Sequence, residues 1–76
     1  MAEWVVYTRD DCSLCERFQQ DLVELIGAQA QHVRRVDIDG DPALEARYGH
    51  KIPVLAIDGD IVCMYRVDPD RVRAYL

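Results

Sequence analysis

The sequence predicts an α/β protein with a mixed four-stranded sheet flanked by helices, in the order β-α-β-α-β-β-α. Three observations predict it. Continuous β-prone runs alternate with stretches of helical periodicity. Two Asp-Pro pairs, Asp41-Pro42 and Asp68-Pro69, stand where helices should begin. An Asp58-Gly59 pair separates the last two strand-like runs and marks a tight hairpin.

The first strand, Trp4–Thr8, is a continuous apolar and β-prone run, as a central strand buried on both faces requires. Arg9, Asp10 and Asp11 follow as a polar loop. Over Ser13–Ile26 the apolar residues Leu14, Phe18, Leu22, Leu25 and Ile26 recur at the spacing of one helix face. Asp11 is the expected N-cap, with Ser13 and Glu16 offering a competing capping box, and Gly27 fits the position just past the end. Residues 33–38 read as the second strand, with Val36 and Ile38 alternating against Asp37 and Asp39 and His32 at the strand edge. Asp41-Pro42 opens a short helix that runs to about Tyr48 and stops at Gly49. Residues 53–57 and 61–65 form the third and fourth strands across the Asp58-Gly59 turn. The last helix follows Asp68-Pro69 and carries Val72, Tyr75 and Leu76 on one side. The first two strands, joined through a helix, should be parallel with a right-handed crossover, and the last two antiparallel.

A chain of 76 residues is expected to be one domain, residues 1–76. It is 50% hydrophobic and 30% charged, which suits a soluble globule and argues against disorder. The longest apolar run covers residues 4–7, too short for a membrane span, and the N-terminus lacks the pattern of a signal peptide. A cytosolic, monomeric protein is expected. With 9 Lys and Arg against 14 Asp and Glu, the net charge of −5 disfavours nucleic acid and anionic membranes as partners. Three cysteines in a leaderless chain point to thiol chemistry or a metal rather than a stapling framework. Two of them, Cys12 and Cys15, frame Ser13 and Leu14 at the loop-to-helix junction after the first strand.

These residues resemble a known family. The run from Tyr7 through Cys12 and Cys15 is similar to the strand-loop-helix of glutaredoxins, where the first cysteine also follows a Tyr-Thr-Lys-like segment. Val36 to Pro42, Tyr48-Gly49, Ile52-Pro53-Val54-Leu55 and Asp58-Gly59 resemble the central part of thioredoxins, in the same order. The resemblance covers nearly the whole chain. It implies a thioredoxin-like fold of the small glutaredoxin type, a cis Ile52-Pro53 bond facing the cysteine pair, and thiol–disulfide exchange with a protein or glutathione disulfide. A reducing partner, either the glutathione system or thioredoxin reductase, would reopen the product disulfide. No bound cofactor is implied; glutathione is a candidate electron donor or co-substrate.

Disulfide exchange needs a thiolate, and a helix N-terminus favours one through its unpaired N–H groups and its dipole. Cys12 sits there and is expected to attack, with a modestly depressed pKa. Arg9 favours the thiolate, while Asp10 and Asp11 oppose it. Cys15, one turn inside, is expected to resolve the mixed disulfide. The backbone N–H and C=O of Ile52 are expected to be free for an extended substrate, as in strand addition. Arg9, Lys51 and Arg66 form a candidate basic rim for a glutathione carboxylate. Ser13 and Leu14 stand between the cysteines where the family commonly has Pro-Tyr or Gly-Pro. Tyr65-Arg66-Val67-Asp68 stands where glutaredoxins usually carry Gly-Gly followed by Asp, so that only Asp68 or Asp70 is retained. Val6 stands where thioredoxins bury a carboxylate.

Simpler readings accompany the sharper ones. The cysteine pair could be half of a zinc site or hold an iron–sulfur cluster, with Cys63, His32 and His50 as the other candidate ligands. Such a metal-holding module of the same fold is the alternative function. Cys63 reads as a small core residue, His50 as an exposed loop histidine, and Trp4, Tyr7 and Phe18 as core. Asp37, Asp39 and Asp41 are explained by alternation and capping.

Overall fold

The computed structural model describes residues 2–76. Its elements are β1 (Trp4–Thr8), α1 (Ser13–Ile26), a 3₁₀ segment (Gly27–His32), β2 (Arg34–Asp37), α2 (Pro42–Tyr48), β3 (Val54–Ile57), β4 (Asp60–Met64) and α3 (Pro69–Arg73). The sheet order is β2-β1-β3-β4. β1 is parallel to β2 and antiparallel to β3, and β3 is antiparallel to β4. This is the expected α/β architecture.

Side-chain alternation along β1 and β3 divides the core. Val6, Leu55 and Ile57 meet Phe18, Leu22 and Ile26 of α1 and Val72 of α3 in the larger cluster. Val54, on the opposite face, joins Ile38 and Tyr48, with Tyr7, Leu44 and Ile52 packed around them. Thus α1 and α3 cover one face and α2 the other. Tyr7 and Tyr48 stack with ring centroids 4.2 Å apart. Burial first, and then its neighbour Tyr48, raise the Tyr7 phenol above its ordinary pKa.

The caps of the two later helices are as expected. Asp41 accepts from the Ala43 and Leu44 N–H groups, each at 3.1 Å, and Asp68 from Arg71 N–H at 3.3 Å. Both helices start with Pro in the first turn. Asp58 (φ 51°) and Gly59 (φ 87°) supply the two left-handed residues that the tight hairpin demands.

Several expectations fail. Asp11 does not cap α1: it takes a left-handed conformation (φ 55°), and Cys12 occupies the N-cap position instead. The Ser13–Glu16 capping box is absent because Ser13 is already the first helical residue. His32 ends the 3₁₀ segment rather than edging a strand. β2 is shorter than expected and lies at the sheet edge, with only Val36 partly buried. α3 ends at Arg73, so Tyr75 and Leu76 fall beyond it and are 46% and 59% exposed. Trp4 and Tyr7 are only partly buried, packed against the two clusters rather than within them. In β4, Val62 and Cys63 are both buried despite being adjacent, because a register shift opposite Leu55 and Ala56 interrupts the alternation. Tyr65 leaves the strand in a left-handed conformation (φ 67°).

Candidate dithiol site

The sheet register gathers the site at one edge. Tyr7 pairs with Val54, Thr8 with Asp37, and Val54 with Met64. The loop after β1, the turn after β2, the Ile52-Pro53 turn before β3 and the Tyr65-Arg66 turn after β4 therefore leave the sheet at the same end. This is the carboxyl end of β1, where α/β sheets usually carry their chemistry.

Cys12 and Cys15 are joined by a disulfide, with Cα atoms 5.2 Å apart. Cys12 is half-buried, whereas Cys15 is 1% exposed and faces the core from α1. The Cys12 Sγ accepts the Cys15 backbone N–H at 3.1 Å. Sulfur thus takes the place that an Asp or Ser oxygen usually fills at a helix start. The arrangement directs the Cys15 N–H of the helix start at the more accessible of the two sulfurs, where it would favour a negative charge after reduction. Ser13 and Leu14 are both exposed between the cysteines, Leu14 by 48%.

Of the three residues of the candidate basic rim, Arg9 and Arg66 have separate surroundings. Arg9 Nε donates to Asp39 Oδ1 at 2.7 Å, which pins the loop before Cys12 to the turn after β2. Lys51 is exposed and forms no ion pair with a carboxylate among the described residues. Arg66 instead lines a cleft of about 230 Å³ with Leu14, Arg17, Phe18, Asp21 and Tyr65.

The Ile52-Pro53 bond is cis, and Pro53 is fully buried. The Ile52 N–H is not free, in contrast to the expectation, because it donates to the Tyr48 carbonyl at 3.1 Å as α2 unwinds. The Ile52 carbonyl accepts no hydrogen bond among the described residues. Tyr65 fastens this turn from the other side. Its N–H donates to the Pro53 carbonyl at 2.8 Å and its hydroxyl to the His50 carbonyl at 2.5 Å. Asp68 is committed to the start of α3. Cys63 lies apart from the pair in the core, where burial pushes its thiol pKa up.

Sequence reasoning passed over Arg17 and Asp21, and read Asp39 only as an alternating position after the second strand, not as the partner of Arg9. The first two had a legible signal, since Leu14, Arg17, Phe18 and Asp21 recur at the spacing of one helix stripe. Asp39 had none, because its partner lies 30 residues away.

A sheet of this order with a Cys-x-x-Cys at the N-terminus of the first helix and a cis-proline before the third strand defines a dithiol protein of thioredoxin-like fold. The sequence matches the Glutaredoxin-like domain (DUF836) family over residues 3–76, and the chain belongs to that family. Curated relatives include the uncharacterized proteins Mb0520 of Mycobacterium bovis and Rv0508 of Mycobacterium tuberculosis. Each is 33% identical over 72 residues, covering 88% of this chain and 74% of the relative. Among solved structures, protein Ne2328 from Nitrosomonas europaea superposes with a TM-score of 0.82 at 32% identity, covering 99% of this chain and 91% of that one. The X-ray structure of target protein XcR50 from X. campestris gives 0.67 at 32% identity, covering 95% and 92%.

Proposed function

We propose that this chain is a thiol–disulfide oxidoreductase in which Cys12 attacks and Cys15 resolves. The observation that supports it most is the pairing of an accessible, helix-capping Cys12 with a shielded Cys15 already bonded to it. In the reduced protein the Cys12 thiolate attacks one sulfur of a substrate disulfide. That S–S bond breaks, and the departing thiolate takes a proton. Cys15 then loses its proton and attacks the Cys12 sulfur, releasing the second substrate thiol. Two electrons pass from the protein dithiol to the substrate, and a thiol reductant must return them. Glutathione with its reductase and thioredoxin reductase are the two candidate sources.

In this reading Ser13, Leu14 and Ile52 form the surface against which the substrate sulfur lies, with Pro53 buried beneath and shaping the turn. The free Ile52 carbonyl offers one backbone acceptor to an extended segment. Arg9, Lys51, Arg66 and Asp68 surround that surface, with Arg9 and Asp68 already engaged by partners of their own. The protein acts as one domain in the cytosol, as a monomer, without nucleic acid or membrane partners. The metal-holding alternative needs further ligands. Among the described residues no group of three His, Cys, Asp or Glu side chains converges.

The test uses two variants and a disulfide substrate. Cys15→Ser should trap a persistent mixed disulfide on Cys12, and Cys12→Ser should form none. A trapped adduct on Cys12→Ser but not on Cys15→Ser would reverse the roles, and the absence of any adduct would end the redox reading. Parallel turnover assays with the two reducing systems name the electron donor.

A further inference from the structure

We propose that the cleft between α1 and the turn after β4 receives a glutamate side chain of a protein substrate, close in sequence to the disulfide cysteine being reduced. This deepens the redox reading above and rests on it.

The cleft opens directly beside the disulfide. Leu14, one of its walls, lies between the two cysteines. Tyr65, the opposite wall, is fastened by its N–H to Pro53 and by its hydroxyl to His50. A segment lying across the cysteine pair therefore passes the mouth of the cleft. The floor is apolar, since Phe18 is 1% exposed, and the rim is charged. Arg66 has no ion-pair partner among the described residues. Arg17 holds Asp21 only through a 3.5 Å contact with both side chains open to solvent, the kind of pair that exchanges readily. Two guanidinium groups against one carboxylate leave a local charge of +1 on a chain of net −5. At about 230 Å³ the cleft is smaller than the ~300 Å³ at which ordinary small-molecule pockets begin, so it suits one side chain. An apolar stem ending in a carboxylate matches an apolar floor with guanidinium groups at the rim, and glutamate is the residue with that form.

Tyr65 gives the cleft its wall. A residue without a side chain there would leave the space between α1 and the Ile52-Pro53 turn open. Here the ring lines the cleft with its hydroxyl on the His50 carbonyl, and Arg66 follows the left-handed Tyr65 (φ 67°) on the same lining.

The experiment measures reduction of three synthetic peptide disulfides by the reduced protein. The peptides are identical except for Glu, Gln or Lys two positions to either side of the cysteine. The Glu peptide is expected to react about fivefold faster than the Gln peptide at low salt, and the Lys peptide slower still. The advantage should shrink as ionic strength rises. Arg66→Gln should bring the Glu-to-Gln ratio close to one, and Asp21→Asn, which releases Arg17, should raise it. Equal rates with all three peptides would overturn the assignment of the cleft while leaving the redox reading intact. No reaction with any of them would overturn both. Glutathione disulfide reacting faster than the Glu peptide, with that advantage lost in Arg66→Gln, would give the cleft to glutathione and overturn the peptide assignment.

Discussion

Reduction of the Cys12–Cys15 bond should lower the stability of the fold by a small amount that can be worked out in advance. The two cysteines are 3 apart in sequence, so the bond closes a very short loop. Opening it returns about 6 cal/mol/K of entropy to the unfolded chain, or about 2 kcal/mol at room temperature. Against this, reduction frees a sulfur that already accepts the Cys15 N–H at the start of α1. A negative charge at that position gains about 0.3–1 kcal/mol from the helix terminus. The net expectation is an oxidised form more stable by about 1–2 kcal/mol. For 76 residues the whole stability is about 4–11 kcal/mol, so the difference is readable. With a urea slope of about 1 kcal/mol per molar, the midpoint should move by about 1–2 M. The assay is urea unfolding by far-UV circular dichroism, with and without a non-thiol reductant, and a Cys12→Ser/Cys15→Ser control that should not respond. A reduced form equal to or more stable than the oxidised one would refute the chain-entropy argument. It would mean that the folded state opposes the bond.

Two other perturbations follow from the helix starts and the buried acids. Asp41→Ala should cost about 1–2 kcal/mol and Asp68→Ala less, because Asp41 accepts two N–H groups at 3.1 Å and Asp68 one at 3.3 Å; the reverse order in thermal unfolding would remove capping as the explanation. Stability should fall at alkaline pH. Tyr7 and Cys63 have folded pKa values raised above their unfolded ones by burial, so their contribution is complete below the unfolded values and is lost as pH rises through the folded ones. Cys63→Ala should flatten part of that decline in urea midpoints taken from neutral to strongly alkaline buffer, and an unchanged slope would count against burial of the thiol as its cause.

The fold was legible in the sequence wherever one residue does one local job. Asp41-Pro42, Asp68-Pro69 and Asp58-Gly59 fix two helix starts and a hairpin by short-range chemistry, and all three are present. The Cys12 cap was not legible, because preference at helix starts favours oxygen and two aspartates lie just upstream. The 3₁₀ segment Gly27–His32 has no buried residue and hence no apolar period to read. The β4 register shift depends on how Leu55 and Ala56 pair, and nothing in residues 60–64 announces it. The site divides in the same way. The cysteine pair and Pro53 stand out as motifs, whereas the partners of Arg9, Ile52 and Arg66 are set by elements that meet only in three dimensions.

The two outer strands carry a consequence for how the molecule behaves in a crowded solution. A four-stranded sheet in order β2-β1-β3-β4 leaves β2 and β4 with open hydrogen-bonding edges, and such edges invite a second copy to pair. On β2 the exposed Arg34, Arg35 and Asp37 would all have to give up water to admit a neighbour. On β4 the shift at Val62 bends the strand out of the straight form that a partner strand needs. The sheet is therefore guarded against lengthening at both sides. Neither guarded edge is the end of the sheet that holds Cys12, so the two features occupy different sides of the molecule.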